Sequence, residues 1–164
     1  MDIQQQEYES YMQKALTLAC QAYDQNEVPI GAVVVDKEGA IIGSGYNQTE
    51  ASMSQTSHAE LLALADAGKK MGDWRLEDCT IFVTLEPCTM CMAALKLSRI
   101  KKVVYGADSP VFGFRLDKDC FIPLYNNDAL LIQSGVLKEK CSEILKDFFQ
   151  KKRNESEGSK RKKP

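Results

Sequence analysis

The sequence predicts a layered α/β domain built around a mixed sheet. Segments of helical and extended period follow one another in the order α-β-β-α-β-α-β-β-α, with no internal repeats or linkers. The chain has 164 residues, 44% of them hydrophobic and 27% charged, a composition and length suited to one well-cored domain.

The elements can be justified in order. From Glu7 to Asp24, Tyr8, Met12, Ala15, Ala19 and Tyr23 recur on one helical stripe. Val28 to Val35 is apolar and β-branched, Asp36-Lys37-Glu38-Gly39 reads as a turn, and Ala40 to Tyr46 continues extended, which predicts a β-hairpin. Thr56-Ser57 can cap a helix starting at His58, whose Leu61, Leu62 and Ala65 face a core before Gly68 weakens it. Cys79 to Leu85 has the composition of a buried strand; Pro87 stops it, and Cys88 opens a helix toward Arg99. Lys102 to Gly106 is a short apolar strand, and Asp108 to Asn127 is irregular. Leu130 to Gln133 makes a fifth strand, and Val136 to about Lys152 a last helix with Leu137, Cys141, Leu145, Phe148 and Phe149 on its apolar side.

The net charge of −2 hides an asymmetry. Residues 151–164 carry seven basic and two acidic side chains, a balance of +5, so the remainder carries −7. We therefore divide the chain into a domain over 1–150 and a basic, disordered tail over 151–164. The tail suits a polyanionic partner or serves only as a solubilising extension. No apolar run approaches a membrane span, and the polar, acidic start (Met1-Asp2-Ile3-Gln4) lacks the pattern of a signal peptide, so a cytoplasmic location is expected. Six scattered cysteines do not form a small disulfide scaffold; in a reducing compartment the close pair Cys88/Cys91 reads as metal-binding or redox-active.

The chemistry concentrates in two places. The chain's only histidine lies in Ser57-His58-Ala59-Glu60, and thirty residues on stands Glu86-Pro87-Cys88-Thr89-Met90-Cys91. An imidazole and two thiolates form a zinc triad with one position left for water, unless another cysteine closes the shell. Glu60 at i+2 from His58 points about 200° around an ideal helix, so it shares the site only if His58 sits at the helix mouth. This H-x-E…P-C-x-x-C pattern resembles the signature of zinc-dependent base deaminases. In such a site zinc lowers the pKa of water from about 15.7 toward 7. Glu60 takes the proton and passes it to the purine N1 and the departing amine. Backbone N–H groups near Ala59 and Cys88 can stabilise developing charge. The same chemistry serves C6 of adenine and C4 of cytosine.

Beyond the zinc motifs, the chain resembles the bacterial tRNA-specific adenosine deaminase family of the cytidine-deaminase-like superfamily, from about Glu27 to Gln150. The resemblance rests on Glu27-Val28-Pro29-Ile30-Gly31-Ala32-Val33, Gly45-Tyr46-Asn47, His58-Ala59-Glu60, Val83 to Cys91, Ser98-Arg99-Ile100, Tyr105-Gly106-Ala107 and Asp147-Phe148-Phe149. It implies a three-layer α/β/α fold with a five-stranded mixed sheet, a homodimer, and conversion of a tRNA wobble adenosine to inosine. It assigns zinc to His58, Cys88 and Cys91, proton transfer to Glu60, and substrate contacts in the anticodon arm to Asn47, Ala59, Pro29 and Phe149. Asn47 read by itself also suits a turn residue ending the hairpin, and one of Phe148 and Phe149 packs in the core while the other lines a nucleotide channel. The chain departs from the family at Ser54-Gln55-Thr56, where Asp-Pro-Thr is usual, and at Asp108-Ser109-Pro110-Val111-Phe112-Gly113-Phe114-Arg115, in a region that resembles the family's RNA-contacting loop. The competing functions are a small-molecule deaminase of guanine, cytosine or cytidine, and a non-catalytic zinc-folded binding module.

Overall fold

A computed structural model describes residues 3–116 and 130–160. Helix α1 (Ile3–Asp24) leads into strands β1 (Gly31–Val35) and β2 (Ile41–Tyr46), a single-turn helix α2 (Thr49–Ser52) and helix α3 (Ala59–Met71). Then come β3 (Thr80–Leu85), α4 (Thr89–Leu97), β4 (Lys102–Ala107), a 3₁₀ turn at Phe114–Leu116, β5 (Leu131–Ser134) and α5 (Lys138–Lys160). The five strands lie in the order β2-β1-β3-β4-β5. β1 is antiparallel to both β2 and β3, while β3, β4 and β5 run parallel. The expected five-stranded mixed sheet is therefore present.

Strand alternation sorts side chains into two layers. Ala32, Val34, Ile81, Val83, Val103 and Tyr105 face α3 and α4, packing on Ala59, Ala63, Met92 and Leu95. Val33, Val35, Phe82 and Val104 face the other way, onto Met12, Ala15 and Leu16 of α1 and Cys141 of α5. The three-layer α/β/α arrangement follows.

One close approach sets the position of the site. Gly45 of β2 lies beneath α3, where a Cβ would come within 2.5 Å of the Ala59 carbonyl oxygen and 2.7 Å of the Ala63 nitrogen. Glycine against an alanine face lets the mouth of α3 settle onto the sheet.

Several boundaries differ from expectation. α3 runs through Gly68 and ends at Gly72, whose φ of 68° supplies the left-handed cap; one interior glycine costs too little to stop a packed helix. The single-turn helix α2 was not anticipated. The largest difference lies at the C-terminus, where the segment expected to be disordered from Lys151 is helical to Lys160. Bonds one turn apart support it: Gln150 Nε2 donates to Asn154 Oδ1 at 3.0 Å, and Arg153 Nη2 to Gln150 Oε1 at 2.9 Å. Cys120 and most of the stretch expected to be irregular lie outside the described residues. No helix among the described residues is long and apolar enough to cross a membrane.

Candidate active site

His58 and Cys88 each occupy the N-cap of a helix, α3 and α4, with extended backbone (φ −74°, ψ 151° and φ −73°, ψ 169°) and no side-chain capping bond. Their side chains thus leave the helix axes and meet. His58 Nδ1 stands 3.7 Å from Cys88 Sγ and 3.4 Å from Cys91 Sγ. All three donor atoms lie within 4.8 Å of one another, and among the described residues no further ligand joins this group. In tetrahedral zinc, with Zn–S about 2.3 Å and Zn–N about 2.0–2.1 Å, neighbouring N and S donors are about 3.6 Å apart. The triad fits zinc in donor type and spacing.

Because His58 precedes the first helical residue, the i+2 objection to Glu60 disappears. Glu60 lies in the first turn of α3, 4% exposed, and its carboxyl meets the Cys91 thiol. Burial pushes it up to about 7. A hydrogen bond from the Cys91 thiol, with a second from His58, holds Cys88 down at about 4 despite its burial. Cys91 is raised by the same bond to Cys88, and His58 by its hydrogen bond to Cys88.

His58, Cys88 and Glu60 line a cleft of about 850 Å³, while Cys91 is fully buried. Asn47 and Phe149 line it, as the resemblance implied, together with Lys146 and Arg153 of α5. Pro29 and Ala59 are not among the lining residues: Pro29 is buried, and the Ala59 methyl packs in the α3/α4 core. Ala59 can act only through its backbone N–H, which as the first of the helix lacks an intrahelical acceptor. Phe148 is the core member of its pair and Phe149 the exposed one, at 45%; their rings meet edge to face at 5.4 Å.

Two buried carboxylates carry weight that the sequence did not reveal. Glu27 accepts from Asn47 Nδ2 at 3.2 Å and from the backbone N–H groups of Glu50 at 3.2 Å and Ala51 at 2.7 Å. Glu86 accepts from the backbone N–H of Ser109 (3.0 Å) and Arg115 (3.2 Å) and from Arg115 Nε (3.0 Å) and Nη2 (3.3 Å). It thereby shapes the loop 108–116, which projects Val111 and Phe112 over the cleft at 67% and 76% exposure. Glu86 sits two residues before Cys88 and Glu27 at the head of the Val-Pro-Ile-Gly segment, but no local spacing marks either as buried.

Residues 5–107 match the family model for the cytidine and deoxycytidylate deaminase zinc-binding region, which defines the class as a zinc-dependent deaminase domain. A tRNA-specific adenosine deaminase of Haemophilus influenzae is 44% identical over 148 residues, spanning 90% of this chain and 86% of that protein. A solved structure from work on A-to-I editing by tRNA:A34 deaminases at the wobble position of transfer RNA superimposes with a TM-score of 0.73 at 36% identity, covering 83% of this chain and 99% of that one. A guanine deaminase from Bacillus subtilis superimposes with a TM-score of 0.60 at 34% identity, covering 76% and 85%. The chain belongs to the tRNA-specific adenosine deaminase family, within the zinc-dependent deaminases.

Proposed function

We propose that this protein converts the wobble adenosine of a tRNA anticodon to inosine by zinc-dependent hydrolytic deamination, as a cytoplasmic homodimer. The observation that carries the proposal is His58 and Cys88 of the triad lining, with Glu60, one cleft that also carries aromatic and cationic side chains. His58, Cys88 and Cys91 would hold the metal. When bound there, zinc supplies the Lewis acidity that makes hydroxide available near neutral pH. Glu60, in a dry position beside the triad, would take one proton from water and give it to N1 of the purine, then carry the proton of the hydroxyl added at C6 to the amine, which leaves as ammonia as the C6–N bond breaks. The balance is adenosine plus water to inosine plus ammonia. Asn47 contacts the base, and Phe149 offers a face on which an unpaired base stacks. Lys146 and Arg153 stand where phosphates would pass.

The cytoplasmic assignment is supported by the free thiols, Cys20, Cys79, Cys88, Cys91 and Cys141 among the described residues; the dimer rests on the family resemblance. The similarity to a guanine deaminase supports a second reading, a small-molecule deaminase. Against it stand Val111 and Phe112, since a free base small enough to be engulfed gains nothing from apolar side chains held out in water. The test offers the zinc-loaded protein a tRNA bearing adenosine at the wobble position, and separately guanine, cytosine and cytidine. We expect inosine at that tRNA position and no ammonia from the free compounds. Ammonia from guanine with the tRNA unedited would establish the second reading.

A further inference from the structure

We infer that Glu27 is a positioning residue for the base, because its buried carboxylate decides which edge of the Asn47 amide faces the cleft. The inference rests on the reading that Asn47 contacts the substrate. An asparagine amide is nearly symmetric in shape, so only its neighbours determine where nitrogen and oxygen lie. Here a carboxylate, able only to accept, stands 3.2 Å from one end, which must therefore be Nδ2. At the other end the Thr49 hydroxyl donates to Oδ1 at 2.8 Å. A flipped amide would set oxygen against carboxylate oxygen at the first contact.

Glu27 cannot turn away to accommodate such a flip. Its carboxylate is also pinned by the Glu50 and Ala51 backbone N–H groups at the start of α2, and its own N–H donates to Ala22 at the end of α1 at 2.9 Å. The backbone on both sides thus fixes the carboxylate, and the carboxylate fixes the amide. Two of the four hydrogen-bonding positions of Asn47 are taken by Glu27 and Thr49. One N–H and one lone pair remain on a side chain that is 5% exposed and lines the cleft. A base that pairs with this donor and acceptor is recognised; a reversed amide would set its oxygen against a ring nitrogen's lone pair.

A merely structural Glu27, holding α2 in place, makes different predictions. The isosteric Glu27→Gln keeps the volume but brings an amide that can donate, so Asn47 no longer has a single preferred orientation. In the ¹⁵N-labelled, zinc-loaded protein, the Asn47 side-chain NH₂ pair should exchange slowly with water, and that protection should be lost in E27Q. In kinetics, E27Q should lower kcat/KM about 10- to 100-fold with zinc content unchanged. In a double-mutant cycle, E27Q in the Asn47→Ala background should cost no more than about twofold beyond N47A alone. Thr49→Val, which removes the donor at the other end of the amide, should show the same dependence with a smaller effect, and it carries the test if E27Q does not fold.

An Asn47 NH₂ pair that is unchanged in E27Q, or penalties that multiply in the double variant, would overturn the inference. If the wild type deaminates guanine and leaves tRNA untouched, the tRNA reading falls. The same cycle run on guanine, and the NMR measurement, still decide the role of Glu27.

Discussion

Glu60 and Glu86 are the same residue type at the same exposure, 4%, and line one cleft, yet their acidities move in opposite directions. Burial dominates at Glu60 and pushes it up to about 7. At Glu86 burial also pulls upward, but the Arg115 guanidinium and the backbone N–H groups of Ser109 and Arg115 outweigh it, so that the carboxyl lies below its ordinary range. Burial alone therefore does not define a role; the hydrogen-bond donors supplied with it do. A carboxyl left short of donors can gain and lose a proton, whereas one saturated with donors is an anchor. The zinc side of the cleft is arranged for chemistry and the loop side for shape.

Crossed substitutions should break or sharpen that contrast. The largest effect belongs to the triad itself: Cys91→Ala should lose stoichiometric zinc by elemental analysis and all measurable turnover. Next comes Glu60→Gln. Turnover should fall by about 10²–10⁴-fold or more while zinc is retained, and the melting temperature should stay level or rise, because the neutral isostere removes a carboxyl with too few donors. A marked loss of stability in E60Q would place Glu60 with the anchors.

The two sides also differ in how far they could be read from the sequence. His58, Cys88 and Cys91 were legible because chemistry needs those residue types and because each cluster begins a helix. The strands were legible from their apolar, β-branched runs. Glu27 and Glu86 were not, since their partners lie 20 to 29 residues away in the chain and exist only once the layers are assembled. Composition misled at 151–160 for a related reason. A basic, Ser- and Glu-containing stretch has no core to join, yet it continues a helix already nucleated by packed residues, and propagation is far easier than nucleation. Pro29 belonged to a segment correctly tied to the family, but as part of its packing rather than as cleft lining.

On the loop side, Gly113→Ala tests whether the anchor is tight. A Cβ there would meet the Glu86 carboxyl carbon, with Oε2 at 2.5 Å and Oε1 at 2.6 Å. A carboxylate held by four bonds cannot retreat cheaply. The substitution should cost about 1–3 kcal/mol, lower the melting temperature by about 2–4 °C per kcal/mol, and raise KM for tRNA more than it lowers kcat, because Phe112 rides on the displaced loop. An unchanged melting temperature would show that the loop is held elsewhere.

The smallest and most diagnostic effect is the pH dependence of Glu86→Gln. The folded-state acidity of Glu86 lies below its unfolded value of about 4.3. Its contribution to stability is therefore fully present above that unfolded value and is lost as pH falls through the lower, folded one. Arg115 is half exposed, and solvent screens its share, so most of the benefit comes from the two backbone N–H groups, which glutamine cannot both satisfy without turning its own NH₂ toward a donor. We expect wild type to exceed E86Q by about 1 kcal/mol, or 2–4 °C, near neutral pH, and the gap to close as the pH is lowered below about 4. A gap that stays constant with pH would mean that the charge on Glu86 contributes nothing, and the contrast with Glu60 would then reduce to packing.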